Sequence, residues 1–350
     1  MLLSICIPTY NRGHFALKHV QEILSIESQD FELVVSNNGS TERKEFYDQI
    51  KNIHDPRLNY FEFEENQGFM TNLCHVIKLS RGDFCMLLSD EDGIITENLS
   101  PYLDIIRHSR RFSGRLFENM WDTVGVIFGS TSDFQYPEVN LAAGEESIKG
   151  AYMWGNYISG LFFNRQVITN QVIDGMSKKY KDNFTWGYYP HMFLLTAGII
   201  NNRVIMCKNP VVQQEETEHQ ESGAERSPGK TCVEGQEFSV PLRYIAWEIR
   251  LEQMKGFCQQ IKDLDVSNDL KFWMFCAVCN KTLFLHQVAQ SLYLKNDIPW
   301  EKALLALIKG MFDYLDEVDI PVVSKRRKLV ERHIIELVHK INGVNIMYAG

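Results

Sequence analysis

Three consecutive acids stand at the end of an apolar run: Phe84-Cys85-Met86-Leu87-Leu88 is followed by Ser89-Asp90-Glu91-Asp92-Gly93. The run has the length of a fully buried strand. Acids are not buried without partners. The cluster must therefore lie at the strand's C-terminal end, facing water, a cation, or both. In open α/β sheets that edge is where ligands bind. Hard oxygen ligands there suit Mg²⁺ or Mn²⁺ carrying a diphosphate, with Asp90, Glu91 and Asp92 as the candidates. Taken alone, the same residues also fit a solvated acidic turn.

The elements around the cluster supply context. Leu3–Ile7, Phe31–Val35 and Leu58–Phe63 read as strands, and Phe84–Leu88 as a fourth. Between them His14–Leu24, Glu42–Ile53 and Phe69–Leu79 show helical spacing, with Ser40 or Thr41 as a plausible N-cap of the second helix. Such alternation with short connections predicts a parallel, right-handed α/β sheet. Further on, Leu99–His108, Val167–Met176 and His191–Ala197 read as helices. Val124–Phe128, Ile158–Phe163 and Val204–Met206 read as strands.

The fold class is therefore α/β, with a domain over residues 1–213. Residues 214–237 are polar and rich in Glu, Ser and Gly, and read as a mobile loop. From 238 to 350 the chain is helical, with Tyr244–Ile261, Leu270–Leu292, Trp300–Leu315 and Lys325–Ile341 carrying apolar residues three and four apart.

Four loops leave the four strands, and each has a rationale at a nucleotide site. In Pro8-Thr9-Tyr10-Asn11-Arg12, proline ends the strand and the next residues offer a hydroxyl and a ring to a base or ribose. In Ser36-Asn37-Asn38-Gly39, the amides of Asn37 and Asn38 can pair with a base edge, and Gly39 allows close backbone approach. In Asn66-Gln67-Gly68 through Asn72, Gly68 opens a helix whose free N–H groups suit phosphate. Ser89-Asp90-Glu91-Asp92 completes the set. Each loop alone is ordinary turn chemistry. All four in order on one sheet edge are not.

These loops resemble those of family 2 glycosyltransferases with the GT-A fold. Pro8-Thr9-Tyr10-Asn11 resembles the family's opening, Ser36-Asn37-Asn38-Gly39-Ser40 its second loop, and Asn66-Gln67-Gly68…Asn72, then Gly82-Asp83-Phe84, its third stretch. Ser89-Asp90-Glu91-Asp92 falls at the DxD position. The form is most similar to the abequosyltransferase-like branch of bacterial surface-polysaccharide enzymes. The likeness is strong over the first third and weaker to about residue 213.

The resemblance implies a nucleotide-diphospho-sugar donor, with UDP-sugar favoured, and a divalent cation, Mn²⁺ or Mg²⁺. It also implies inverting transfer to a hydroxyl of a saccharide or lipid-linked acceptor. Pro8, Thr9, Tyr10, Asn11, Arg12, Asn37, Asn38, Gly39, Asn66, Gly68, Asn72, Ser89 and Asp90 would then face the donor nucleotide.

An inverting transfer needs a base. Where the family usually has a Glu-Asp pair, this chain reads Phe184-Thr185-Trp186-Gly187-Tyr188-Tyr189-Pro190-His191. His191, with a pKa suited to base work, is the preferred candidate, and Asp182 lies a few residues earlier. Trp154 and Asn156, in the segment Trp154–Gly160, resemble the family's acceptor side, and Trp186 is a second stacking candidate. His219 in the polar loop could add a metal or phosphate contact. The missing Glu-Asp pair and Asn37, where the family often has Asp, motivate an alternative: a catalytically silent nucleotide-sugar-binding partner in an assembly complex. A sugar nucleotidyltransferase would need a Gly- and Arg/Lys-rich phosphate loop, and Pro8–Gly13 is a poor version of one.

Composition sets outer bounds. The 350 residues are 45% hydrophobic and 23% charged, as in ordinary globular proteins. A net charge of −9 and a pI near 5.6 argue against nucleic acid as a partner. Eight scattered cysteines, several in apolar runs, fit a reducing cytosol. Cys276-Ala277-Val278-Cys279 reads as helical core rather than a metal site. No signal-peptide pattern opens the sequence, and no apolar stretch approaches the ~18 residues of a spanning helix. The expectation is a cytoplasmic protein. Lys325-Arg326-Arg327-Lys328 beside apolar residues could touch an anionic membrane surface, although a solvated helix end or a homo-oligomer surface fits as well.

Overall fold

Every residue of Leu3–Thr9 (β1) and Phe31–Asn37 (β2) is buried, as is all of Phe84–Leu87 (β4). These apolar runs form the middle of a parallel array, with Leu58–Glu62 (β3) at its border. The computed structural model describes residues 1–112, 123–155, 157–215, 246–295 and 299–343. Helices Gly13–Leu24 (α1), Lys44–Lys51 (α2) and Phe69–Leu79 (α3) connect the four strands. β1 pairs in parallel with both β2 and β4, and β2 with β3. The register sets Thr9 beside Asn37 and Asn37 beside Glu62. All four connecting loops therefore leave the same sheet edge.

Beyond β4 the sheet becomes mixed. The chain runs through Gly93–Ile94 (β5), Leu99–Phe112 (α4), Val124–Thr131 (β6), Val139–Leu141 (β7), Glu145–Ala151 (α5) and Leu161–Asn164 (β8). It continues through Asn170–Lys179 (α6), Phe184–Tyr188 (α7), Pro190–Ile199 (α8) and Arg203–Gln213 (β9). The strand order is β3-β2-β1-β4-β8-β6-β9-β5, with β7 on β9. β8 lies antiparallel between β4 and β6, and β6 runs parallel to β9. The core on one side of the sheet gathers Ile5, Ile7, Leu33, Val35 and Met86 with Ala16, Val20 and Ile23 of α1.

Two local expectations change. The second helix begins at Lys44, and neither Ser40 nor Thr41 caps it. Asn11 instead braces the chain ahead of the helix: its Oδ1 accepts the N–H groups of Thr41 at 2.9 Å and Glu42 at 3.2 Å. The strand expected over Ile158–Phe163 is β8 and begins at Leu161, because Gly160 turns the chain at φ +86° first.

The chain divides into two compact units, Met1–Lys181 with Trp186–Gly223, and Asp182–Thr185 with Ala224–Gly350. Residues 182–185 thus group with the helical unit. Their bonds show why. Asn183 Nδ2 donates to Gly256 O at 3.1 Å and to Gln259 Oε1 at 2.7 Å, and Thr185 Oγ1 donates to Gln253 O at 2.9 Å.

The second unit comprises Trp247–Asp263 (α9), Asn268–Val288 (α10), Gln290–Lys295 (α11), Trp300–Glu317 (α12), Pro321–Lys325 (α13) and Arg327–Gly343 (α14). Cys276 and Cys279 both lie on α10; Cys279 is buried and Cys276 half-buried. Of the basic run, Arg326 pairs with Asp269 at 2.6 Å, and Arg327 pairs with Asp316 and with Glu331 at 2.7 Å. Half of that cluster is thus neutralised by acids of its own unit. Among the described residues no helix is long and apolar enough to cross a membrane.

Lys281 on α10 is 3% exposed, its Nζ 4.4 Å from the Phe257 ring centroid. Burial, and then the nearby Arg250 charge, hold its pKa down to about 7. The unfolded chain therefore binds a proton that the folded chain does not, between about pH 7 and the ordinary lysine value near ~10.4. Stability from this group is full above that window and is lost as pH falls through it. Lys281→Met should remove the slope and raise stability by about 2–4 kcal/mol at pH 7, with the gain vanishing near pH ~10. Denaturant melts of both proteins across that range measure it. An equal difference at both pH values would refute the assignment.

Candidate active site

The acids after β4 separate into two settings. Arg12, at the start of α1, donates from Nη1 to Asp90 Oδ1 at 3.2 Å and to Glu91 Oε2 at 2.6 Å. Burial works against the guanidinium charge, but Asp90 and Glu91 more than reverse this and raise its pKa. Asp90 is itself 5% exposed, and burial pushes its carboxyl up to about 6 despite the pull of Arg12.

Asp92 turns elsewhere. Its Oδ2 accepts the hydroxyls of Tyr157 at 2.5 Å and Ser159 at 2.6 Å. Its Oδ1 is buried with no hydrogen-bond partner. Burial raises the Asp92 pKa, partly offset by those two hydroxyls. Burial and the Asp92 charge raise that of Tyr157, which keeps the phenol a donor. Among the described residues no three His, Cys, Asp or Glu side chains converge as a ready-made metal cage.

The other three loops are stitched together by their amides. Asn37 Oδ1 accepts from Ser40 N at 3.1 Å and Ser40 Oγ at 2.6 Å, and its Nδ2 donates to Tyr60 OH at 3.1 Å. Asn38 Nδ2 donates to Asn66 Oδ1 at 2.9 Å, and its Oδ1 accepts from Gln67 N at 2.9 Å. Asn72 donates to Ser36 O at 3.1 Å and accepts from Ser36 Oγ at 2.6 Å. Thr9 Oγ1 lies 2.8 Å from Tyr47 OH, which also accepts Arg12 N–H at 3.0 Å.

The base-edge role expected of Asn37 and Asn38 is thus not where their bonds go. Both are nearly closed to solvent, because loops this polar satisfy their buried backbone groups with whatever amides lie nearby. Gly39, at φ +66°, passes so close to the next loop that a Cβ would sit 2.4 Å from the Glu65 carbonyl carbon. Gly68, at φ +85°, has open space where its Cβ would be. Pro8 closes β1, Tyr10 is half-buried beyond it, and Ser89 donates its N–H to Ser159 Oγ at 2.9 Å.

The middle region departs more from expectation. Trp186 is 1% exposed, packed edge-on to Phe193 at 5.5 Å and tilted against Tyr180 at 6.4 Å. It is a core residue and offers no surface to an acceptor. Trp154 is half-buried and stacks on Phe134 at 5.4 Å, with Tyr136 edge-on at 6.1 Å. His191 occupies the first turn of α8, 2% exposed, its ring 5.8 Å from that of Tyr189. Asp182 falls in the helical unit. Asn156, His219 and the polar loop from residue 216 onward lie outside the described residues.

Tyr157 and Ser159 are the residues that sequence reasoning passed over. The sequence offered only two hydroxyl side chains two apart in Trp154–Gly160, and a bend and turn ahead of β8, rather than a strand, bring both to Asp92.

Sheet order, loop edge and acid placement together define an α/β protein of the GT-A kind. The S. aureus TarS 1–349 chain, solved in complex with UDP-GlcNAc, superposes with a TM-score of 0.59 at 15% identity, covering 97% of this chain and 90% of that one. Residues 4–120, about the first third of the chain, match the model for Glycosyl transferase family 2.

The abequosyltransferase RfbV of Salmonella typhimurium is 32% identical over 114 residues, 30% of this chain and 33% of the relative. WcaA of Escherichia coli is 22% identical over 192 residues, 53% of this chain and 57% of the relative. A GalNAc(5)-diNAcBac-PP-undecaprenol beta-1,3-glucosyltransferase of Campylobacter jejuni is 28% identical over 102 residues, 29% of this chain and 33% of the relative. The chain thus matches no more than about three fifths of the length of these curated relatives.

Proposed function

We propose that the chain is an inverting, cation-assisted glycosyltransferase that moves a sugar from a nucleotide-diphospho-sugar to a saccharide or lipid-linked saccharide hydroxyl in bacterial surface glycan synthesis. The observation that carries this reading is Asp92 Oδ1, a buried carboxylate oxygen with no partner beside two further acids. A buried carboxylate oxygen left unpaired is costly. A divalent ion binding a diphosphate needs only one or two protein carboxylates, with phosphate and water supplying the rest. The residues present therefore fit such an ion without a three-carboxylate cage.

When bound, the cation would supply positive charge to the departing diphosphate. Asp92 would hold it, and Asp90 or Glu91 would join on exchanging Arg12 for the ion. Arg12, once released, stands ready to pair with a phosphate oxygen. The open face at Gly68 and the N–H groups of α3 would receive the rest of the diphosphate. His191 is the proposed base, and its acceptor would have to reach a nearly closed ring. Trp154 and Phe134 would offer an aromatic surface to the acceptor sugar. A uridine donor is the working choice, because chains of this fold carry UDP and UDP-GlcNAc in the TarS structures.

Calorimetry with UDP, GDP and TDP, with and without Mn²⁺, tests the reading. One nucleotide should bind, more tightly with Mn²⁺; binding of none overturns it. The enclosed His191 favours a second reading, a silent nucleotide-sugar binder. Slow, cation-dependent hydrolysis of one nucleotide sugar would exclude that alternative.

A further inference from the structure

The loop that carries the acids is clasped along its length by one short segment, residues 157–160. Gly160 donates its N–H to Leu87 O at 3.0 Å, where β4 ends. Ser159 Oγ accepts the Ser89 N–H at 2.9 Å and donates to Asp92 at 2.6 Å. Tyr157 OH reaches the same Asp92 oxygen at 2.5 Å.

We propose that Tyr157 and Ser159 are the positioning residues of the cation site, fixing Asp92 through Oδ2 so that Oδ1 is held for the ion. The proposal rests on the reading above that these acids take a cation. Two features make the arrangement more than a local bond. First, the amide of Ser89 occupies an acceptor site of the Ser159 hydroxyl and leaves its proton for Asp92, so the donor direction is set by the backbone. Second, both hydroxyls choose the same oxygen, although spreading over two would satisfy the carboxylate better. The result is one doubly bonded oxygen and one buried orphan. Charge-assisted bonds of this kind lock carboxylate rotation and orient a ligand before the metal arrives.

The test uses the full chain and its Tyr157→Phe and Ser159→Ala variants. Mn²⁺ uptake is followed by electron paramagnetic resonance in the presence of UDP. UDP binding without metal is measured by calorimetry, and thermal melts check folding. Each variant should lose about 10-fold or more in Mn²⁺ affinity while metal-free UDP affinity stays at the wild-type value; Tyr157→Phe should also keep its melting temperature, whereas Ser159→Ala, which leaves the Ser89 N–H without its acceptor, should melt lower. A purely structural role would move metal-free UDP affinity and the melting temperature of Tyr157→Phe as well. Wild-type Mn²⁺ affinity in both variants overturns the proposal and leaves the functional reading standing. Binding of UDP by the wild type with no Mn²⁺ uptake also overturns it. Failure of the wild type to bind any of UDP, GDP and TDP, with or without Mn²⁺, overturns both.

Discussion

Asp92→Asn should lower the rate of sugar transfer, or of donor hydrolysis, by about 10²–10³-fold. The substitution keeps the shape and lets the amide oxygen go on accepting from Tyr157 and Ser159. What it removes is charge. An amide oxygen holds a divalent ion far less well than a carboxylate, so charge developing on the leaving diphosphate loses its counter-ion. Metal-free nucleotide binding should change little, because the loops around Asn38, Asn66 and Asn72 do not depend on this side chain. Steady-state rates at saturating Mn²⁺ for wild type, Asp92→Asn and Glu91→Gln separate the acids. Glu91 is held by Arg12 in the free protein, and its loss should cost less. Wild-type turnover in Asp92→Asn would place the cation elsewhere.

Gly160→Ala should be strongly damaging, destabilising the sheet unit by about 3 kcal/mol. Gly160 sits at φ +86°, and its added Cβ would lie 2.4 Å from Gly129 O. That carbonyl cannot simply move away, since it belongs to the backbone of β6. Gly160 O also accepts the Gly129 N–H at 2.7 Å, so β6 and the turn are fixed from both directions. Relief would have to come from residues 157–160, which hold Asp92. Thermal melts should show the loss, and Mn²⁺ affinity should fall with it. A melting temperature within a degree of wild type would show that the turn yields more easily than its contacts imply.

The two halves of the site differ in how far they could be read from residues alone. The β1–β4 array was legible because Leu3–Ile7, Phe31–Val35 and Phe84–Leu88 are apolar runs too short for helices, separated by helical periodicity. Once those strands are parallel, their loops must share an edge, and Asp90, Glu91 and Asp92 must lie there. β5 and β7 gave no such signal, being two and three residues long and defined by pairing with β9.

Side-chain direction was the harder part. Asn37 and Asn38 offer the same amide to a base or to a neighbouring loop, and only tertiary placement decides between them. Trp186 has the composition of a sugar platform and the surroundings of a core residue. Tyr157 lies 65 positions from Asp92, and no local pattern links them.

Arg12 carries a consequence for affinity. Because its guanidinium already pairs with Asp90 and Glu91, the empty protein contains its own tethered competitor for any incoming ion. Apparent affinity for a cation alone is then the intrinsic affinity multiplied by the fraction of molecules in which the arginine has let go. A ligand that brings phosphate with its cation gives that arginine somewhere to go, and so escapes the penalty. The acids should consequently prefer the ion and the diphosphate together over either arriving separately.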